Sequence, residues 1–265
     1  MNGVLRALVD SHVIAKRNVI KIKRVPEVLV FVLISPIMFV LLFAYVFGGS
    51  IAIPGGSYRE FLIGGIFAQT VIFGATFTGA GLADEMQKGI MSRFRALPMS
   101  RAAVLVGRTA SDVVYNVLSL LIMALTGLLV GWRIHTSFLE AAFGFALLLA
   151  FAYAFSWVMA YIGLLVPSVE VINNASFMVI FPLTFIANTF VPADNLPTVL
   201  RAFAEWNPVS AVTQAARDLF GNIPAGTPAP TVWPLRHAVL YTIIWIVGII
   251  AVFAPLSVNR FRKPR

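Results

Sequence analysis

The chain holds 265 residues, of which 59% are hydrophobic and only 12% charged, with 22 Phe, no Cys and a net charge of +9. Its mean hydropathy of +0.89 is far above that of a soluble domain of this length. The absence of cysteine excludes disulfides and thiolate metal sites, and the positive charge gathers in short segments beside apolar runs, which is a membrane-orientation signal and excludes nucleic acid as a partner.

Residues 1–27 precede the first apolar run. Arg6, Lys16, Arg17, Lys21, Lys23 and Arg24 alternate there with Leu5, Leu8, Val9, Val13, Ile20 and Ile22 at partial helical spacing. This predicts an amphipathic helix lying at the interface of an anionic leaflet, with a basic tail that only fixes topology as the plainer alternative. Roughly 20 apolar residues cross a bilayer. The first such run, span one, is Val28 to Phe47, and Pro36 inside it is an expected kink. No small-residue cleavage pattern follows it, so no cleavage is expected. A turn-rich link, Gly48 to Tyr58, leads to span two, Phe61 to Ala83, where Gly64, Gly65, Gly74, Gly79 and Gly81 permit close helix approach.

A charged segment, residues 84–112, comes next. It sets Lys88, Arg93, Arg95, Arg101 and Arg108 against Asp84 and Glu85, and Leu97-Pro98 breaks it. It is too polar for hydrocarbon and too rich in Leu, Met and Phe for an idle linker, so an amphipathic helical part meeting a partner or the membrane surface is expected. For Glu85 a solvated helix cap remains the alternative, and for the arginines simple retention on the cytoplasmic side.

Span three, Val113 to Trp132, ends on an interfacial tryptophan. Span four lies within Ala141 to Val166, and the turn Pro167 to Glu170 leads to span five, Val171 to Phe190, with Pro182 mid-span. The link 191–236 combines prolines at 192, 197, 208, 224, 228 and 230 with amphipathic pieces around Leu196 to Trp206 and Val209 to Phe220. Span six is Ala238 to Val258, and a basic tail closes the chain. Six basic residues precede span one, five separate spans two and three, and four follow span six, so 15 of the 20 fall on one side, which is therefore cytoplasmic with both termini. The expected fold is an all-α integral membrane protein of six transmembrane helices.

Several chemistries find no residues. No Gly-x-x-x-x-Gly-Lys-Ser/Thr loop is present, so ATP hydrolysis is not expected of this chain. His12, His135 and His237 have no ligand spacing, and no serine lies in a G-x-S-x-G elbow. The cores of the six spans hold no ionisable side chain, which disfavours an ion-driven carrier and a channel. What remains is an apolar bundle that takes its energy from elsewhere.

Three stretches carry a resemblance. They are His12 to Pro26, HVIAKRNVIKIKRVP; Glu85 to Arg101, EMQKGIMSRFRALPMSR; and Phe190 to Pro197 with Trp206 to Ser210 and Arg217. In these the chain resembles the membrane-spanning permease of ABC exporters of the ABC-2 class, especially the actinobacterial daunorubicin-resistance type. The resemblance implies re-entrant extracellular helices between spans five and six, a second permease copy or related permease, and two separate ABC ATPase subunits that bind Mg-ATP, with no cofactor in this chain. It implies ATPase coupling at Asp84, Glu85, Lys88, Gly89, Arg93, Arg95, Leu97 and Pro98, and an extracellular gate at Pro192, Pro197, Asn207, Pro208 and Arg217. Ile90 departs from the Thr common in the family after that glycine. Phe67, Phe73, Phe77, Phe177, Phe181 and Phe185 are candidate linings of an apolar path, with packed or lipid-facing rings as the alternative.

The expected function is export of a hydrophobic or amphipathic drug, lipid or polyketide-like compound across a bacterial inner membrane, since an apolar wall penalises a polar cargo. A cell-envelope polysaccharide or other cargo, an ion-driven carrier and a non-transporting membrane subunit are the alternatives.

Overall fold

The computed structural model describes residues 3–24, 34, 37–47, 56–96, 100–166, 168–193, 196–223 and 229–262. The first part of span one as drawn, residues 28–33, 35 and Pro36, lies outside them, as do Leu97, Pro98, Pro167, Pro224, Pro228 and the side chains of Arg95 and Arg101. Among the described residues every regular element is helical. In chain order these are α1 (Gly3–Arg24), α2 (Ile37–Val46, whose end passes into a π turn, Phe43–Phe47), α3 (Tyr58–Gly74), α4 (Thr76–Gln87), α5 (Ile90–Ala96) and α6 (Arg101–Val130). They continue with α7 (Phe138–Leu165), α8 (Val169–Phe185), α9 (Thr198–Trp206), α10 (Pro208–Phe220), α11 (Trp233–Arg236) and α12 (Ala238–Arg262).

Four stretches are long and apolar enough to cross a membrane: Tyr58–Gln87, which joins α3 and α4, Ala102–Val130, Phe138–Leu165 and Ala238–Arg262. Two shorter apolar helices, Ile37–Val46 and Val169–Phe185, fall on the first and fifth expected spans. The chain is thus an all-α, multi-span membrane protein.

Helix α7 is central and packs against α3, α4, α6, α10 and α12. A reciprocal capping box starts it: Ser137 Oγ accepts from the Glu140 amide and Glu140 accepts from the Ser137 amide, which satisfies two end donors. It crosses α4 backbone to backbone. A Cβ placed on Gly163 would lie 2.6 Å from the Gly79 carbonyl oxygen, so the small residues of span two do serve close packing.

The helix limits differ from the sequence expectation in three places. Span two breaks at Ala75, the junction of α3 and α4, where Thr76 Oγ1 bonds back to the Phe73 carbonyl at 2.7 Å. Helix α6 does not begin at Val113 but at Arg101, so the polar half-turns of the charged segment belong to a 30-residue helix. Their polar groups find partners inside the bundle, which makes hydropathy a poor guide to where this helix starts. Pro182 lies in the last turn of α8, which stops at Phe185 and leaves residues 186–190 as turns. The missing N–H of Pro182 is compatible with that ending, since the helix continues only three residues beyond it.

Candidate functional site

Two ends of the bundle hold the sequence-predicted residues. At the first, α1 lies along the start of α6. Its buried face, Ser11, Ile14 and Asn18, follows a helical period, while Val9, Val13, Lys16 and Ile20 point outward. Helix α1 therefore buries Ile14 between two polar residues, and presents apolar and charged side chains together outward. Asn18 Nδ2 donates to Ser111 Oγ at 3.2 Å, and Ser111 Oγ donates to the Arg108 carbonyl at 2.6 Å. The Ser100 amide donates to Asp10 at 3.4 Å.

Glu85, near the end of α4, is only 3% exposed and points into the protein, where Arg17 of α1 donates to its carboxylate. Arg17 also donates to Asn18 Oδ1 at 2.9 Å and lies 5.0 Å from the Phe94 ring centroid of α5. Deeper in, Thr78 donates to the buried Asp112, whose other partner is Arg108 at 3.9 Å. Arg108 Nη2 donates to the Phe77 carbonyl at 3.0 Å. These bonds fasten α1, α4 and α6 to one another.

Just past this knot the chain turns outward. Gly89 has φ +69°, a left-handed conformation that a Cβ disfavours, and it lets α5 start at Ile90. Lys88 is exposed and pairs with Asp84 at 2.7 Å, and Arg93 is exposed beyond the glycine. So Asp84, Lys88, Gly89 and Arg93 share one projecting turn, whereas Glu85 backs it from inside. Sequence reading did not single out Asp10, Asn18, Thr78 or Ser111, nor pair Arg17 with Glu85. The available signal was the polar set at 11 and 18 on the same face of a basic helix.

The other end is built on α10. Asn207 caps it, with Oδ1 accepting from the Val209 amide at 2.9 Å, and Pro208 supplies the first helical residue. Asn207 Nδ2 reaches the Leu183 carbonyl at 2.7 Å, and Ser210 Oγ accepts from the Asn188 amide at 3.1 Å. One helical stretch later Arg217, 1% exposed, donates to the carbonyls of Phe61, Asn188 and Thr189 at 2.8, 2.8 and 2.9 Å. Pro192 and Pro197 lie apart from these bonds, on the approach to α9. Nearby, Trp132 Nε1 donates to Asn222 Oδ1 at 2.6 Å and His135 meets Glu60 at 2.8 Å.

The phenylalanines divide. Phe67 is fully buried and meets Trp132, Phe145 and Phe220 edge-on at 5.3 to 5.8 Å, so it is core. Phe77 stacks on Tyr115 at 6.1 Å. Phe73, Phe177, Phe181 and Phe185 join a ladder that continues through Phe190, Phe43 and Phe39, with successive centroids 4.0 to 6.3 Å apart. Phe177 and Phe181 open outward along α8.

No group of three or more potential metal ligands occurs among the described residues. Residues 11–220 match the model of the ABC-2 type transporter family. The chain is 31% identical over 247 residues to a daunorubicin resistance ABC transporter permease protein, DrrB1, of Streptomyces coeruleorubidus, covering 93% of this chain and 84% of that one. It is 21% identical to a probable doxorubicin resistance ABC transporter permease protein, DrrC, of Mycobacterium tuberculosis, over 86% of this chain and 79% of the relative. A putative transport permease, ycf38, of Cyanophora paradoxa is 24% identical over 80% of this chain and 74% of its own length. With the family model spanning most of an all-α bundle of apolar helices, the chain belongs to the ABC-2 type transporter family, whose permeases are non-catalytic transport subunits, as a permease of the daunorubicin- and doxorubicin-resistance-like group.

Proposed function

We propose that this permease exports a hydrophobic or amphipathic compound, drawing its energy from two ATPase subunits that bind Mg-ATP and seat on the turn from Asp84 to Arg93. The observation that carries the reading is the construction of that turn. Its charged side chains Lys88 and Arg93 project, while Glu85 behind them is tied to Arg17 and, through Asn18 and Ser111, to α6. A push on the turn therefore reaches α1, α4 and α6 together. The turn is the partner surface, and Glu85 acts as its internal brace.

In this reading the chain crosses a bacterial inner membrane six times, with α1 and both termini on the cytoplasmic side and α9 and α10 forming a re-entrant extracellular region. A second permease copy or a related permease completes the path. The phenylalanine ladder offers that path an apolar, polarizable wall on α8, suited to aromatic or acyl cargo. The names of the relatives, resistance permeases for daunorubicin and doxorubicin, favour drug-like cargo.

The test is reconstitution with the partner ATPase in lipid vesicles, comparing the native chain with Lys88→Glu plus Arg93→Glu. The expected result is loss of ATPase co-purification and of cargo-stimulated hydrolysis in the variant. Unchanged binding and stimulation would remove the turn as the coupling site.

A further inference from the structure

The buried guanidinium of Arg217 has no carboxylate within ion-pair distance among the described residues, although a buried cation ordinarily needs one. The adjacent Asp218 is engaged by Gln214 at 3.0 Å instead. What surrounds Arg217 is carbonyl oxygen. Asn188 and Thr189 belong to the turns that follow α8, two and three residues past its C-cap Ile186, and their main-chain carbonyls turn toward the guanidinium. Arg217 thus holds the turns after α8 from α10, and through the Phe61 carbonyl it fixes both to α3. Its guanidinium carbon also lies 3.4 Å from the Phe61 ring centroid.

The fit around this cap is close. A Cβ on Gly65 would lie 2.1 Å from the Thr189 carbonyl oxygen and one on Gly64 2.9 Å from Arg217 Cγ, so α3 meets the turn and the arginine with no side chain between. The same residues also hold unused polar capacity: Asn188 Oδ1, Thr189 Oγ1, Thr213 Oγ1 and Tyr58 Oη are buried without a hydrogen-bond partner. Unpartnered polar atoms beside a cation held only by carbonyls offer that cation a second set of acceptors, so it can release the carbonyls without being stranded.

We propose that Arg217 is the positioning residue that latches the α10 end of α8, and that export requires this latch to open and free α8 with its ladder of phenylalanines. The proposal rests on the export reading above and names the residue that controls its outer end. Asn207 holds the last turn of α8 and Ser210 the turns after it by neutral bonds, leaving Arg217 as the dominant tie, since a bond from a charged donor outweighs a neutral one.

The chain has no cysteine, so one introduced thiol reports one position. Ala187→Cys places it beside the latch, where the native residue is 2% exposed, and Ala160→Cys places a control on α7, where the native residue is fully buried among Leu82, Leu105 and Trp157. Labelling by a polar maleimide is followed on the full chain in open membrane sheets, without ATP, so that ATPase coupling plays no part. Arg217→Gln is expected to raise the rate at Ala187→Cys on the order of tenfold, matching the loss of a charged hydrogen bond, while Ala160→Cys stays slow. Arg217→Lys, which keeps the charge but cannot reach three carbonyls in a plane, is expected to give a smaller rise at the same site alone. An unchanged rate at Ala187→Cys in Arg217→Gln overturns the latch. Should both thiols react together in Arg217→Gln, Arg217→Lys decides: a rise confined to Ala187→Cys supports the latch, and any other pattern overturns it.

Discussion

The two ends of this bundle are fastened by different balances of the same bonds. At the α1 end the ties between helices run chiefly from side chain to side chain, Arg17 to Glu85, Asn18 to Ser111 and Thr78 to Asp112, with Arg108 on the Phe77 carbonyl beside them. At the α10 end the buried ties run chiefly to main-chain carbonyls, Arg217 to Phe61, Asn188 and Thr189 and Asn207 to Leu183, with Trp132 on Asn222 beside them. A pair of opposite charges has one partner each and breaks when either is lost, so it transmits displacement between helices as a unit. A guanidinium on carbonyls grips the backbone itself, and it can move to other acceptors without leaving an uncompensated anion behind. The first arrangement suits a part that must move with a partner, and the second suits a part that must let go.

The contrast is broken most strongly by Glu85→Lys. This sets two cations together where the native carboxylate is buried, and because Arg17 is about a third exposed the penalty falls below the full range for buried pairs, on the order of 2–3 kcal/mol. Thermal unfolding in detergent should show it, together with lost ATPase stimulation. The exchange Arg17→Glu with Glu85→Lys should recover part of both. Recovery of neither would mean that the pair does not brace the turn.

At the opposite end Gly65→Ala tests the backbone grip. Its new methyl would meet the Thr189 carbonyl at 2.1 Å, so α3 or the turn must shift, at a cost of about 1–3 kcal/mol. The expected signature is different from that of Glu85→Lys: faster thiol labelling beside Ala187 with the partner ATPase still bound. Loss of ATPase binding would show that the ends are not separable.

Between the ends lies the ladder. Phe181→Ala removes a ring stacked on both Phe177 and Phe185 and already open on one side, so its effect on stability should stay near 1 kcal/mol. Its effect on transport should be larger, a several-fold rise in the cargo concentration for half-maximal ATPase stimulation, while Phe67→Leu, in the core, should alter unfolding and leave that concentration alone.

The sequence made the apolar spans legible because a bilayer demands long uncharged runs, and the charged segment after span two stood out for the same reason. It did not reveal that α6 starts at Arg101, since Arg108 and Asp112 look like loop residues until Phe77 and Thr78 are placed beside them. Nor did composition distinguish Phe67 from Phe181: both lie in apolar runs, and only packing across helices makes one core and the other part of an open ladder. The direction of Glu85 was hidden likewise, because its partner Arg17 lies 68 residues away.

The smallest stability effect belongs to Lys88→Ala, and it sharpens the contrast most. Lys88 pairs with Asp84 one turn earlier at 2.7 Å, but it is exposed, and a surface pair of this kind contributes about 0.3–0.5 kcal/mol. Unfolding should therefore be almost unchanged. The same side chain projects from the turn that Gly89 shapes and that Glu85 braces, so its removal should weaken the ATPase partner by several-fold and lower stimulated hydrolysis in proportion. Titrating the ATPase against vesicles of native and Lys88→Ala protein measures this directly. A stable variant with weakened coupling would support the turn as the surface that receives the push, whereas native coupling would count against Lys88 as part of that surface.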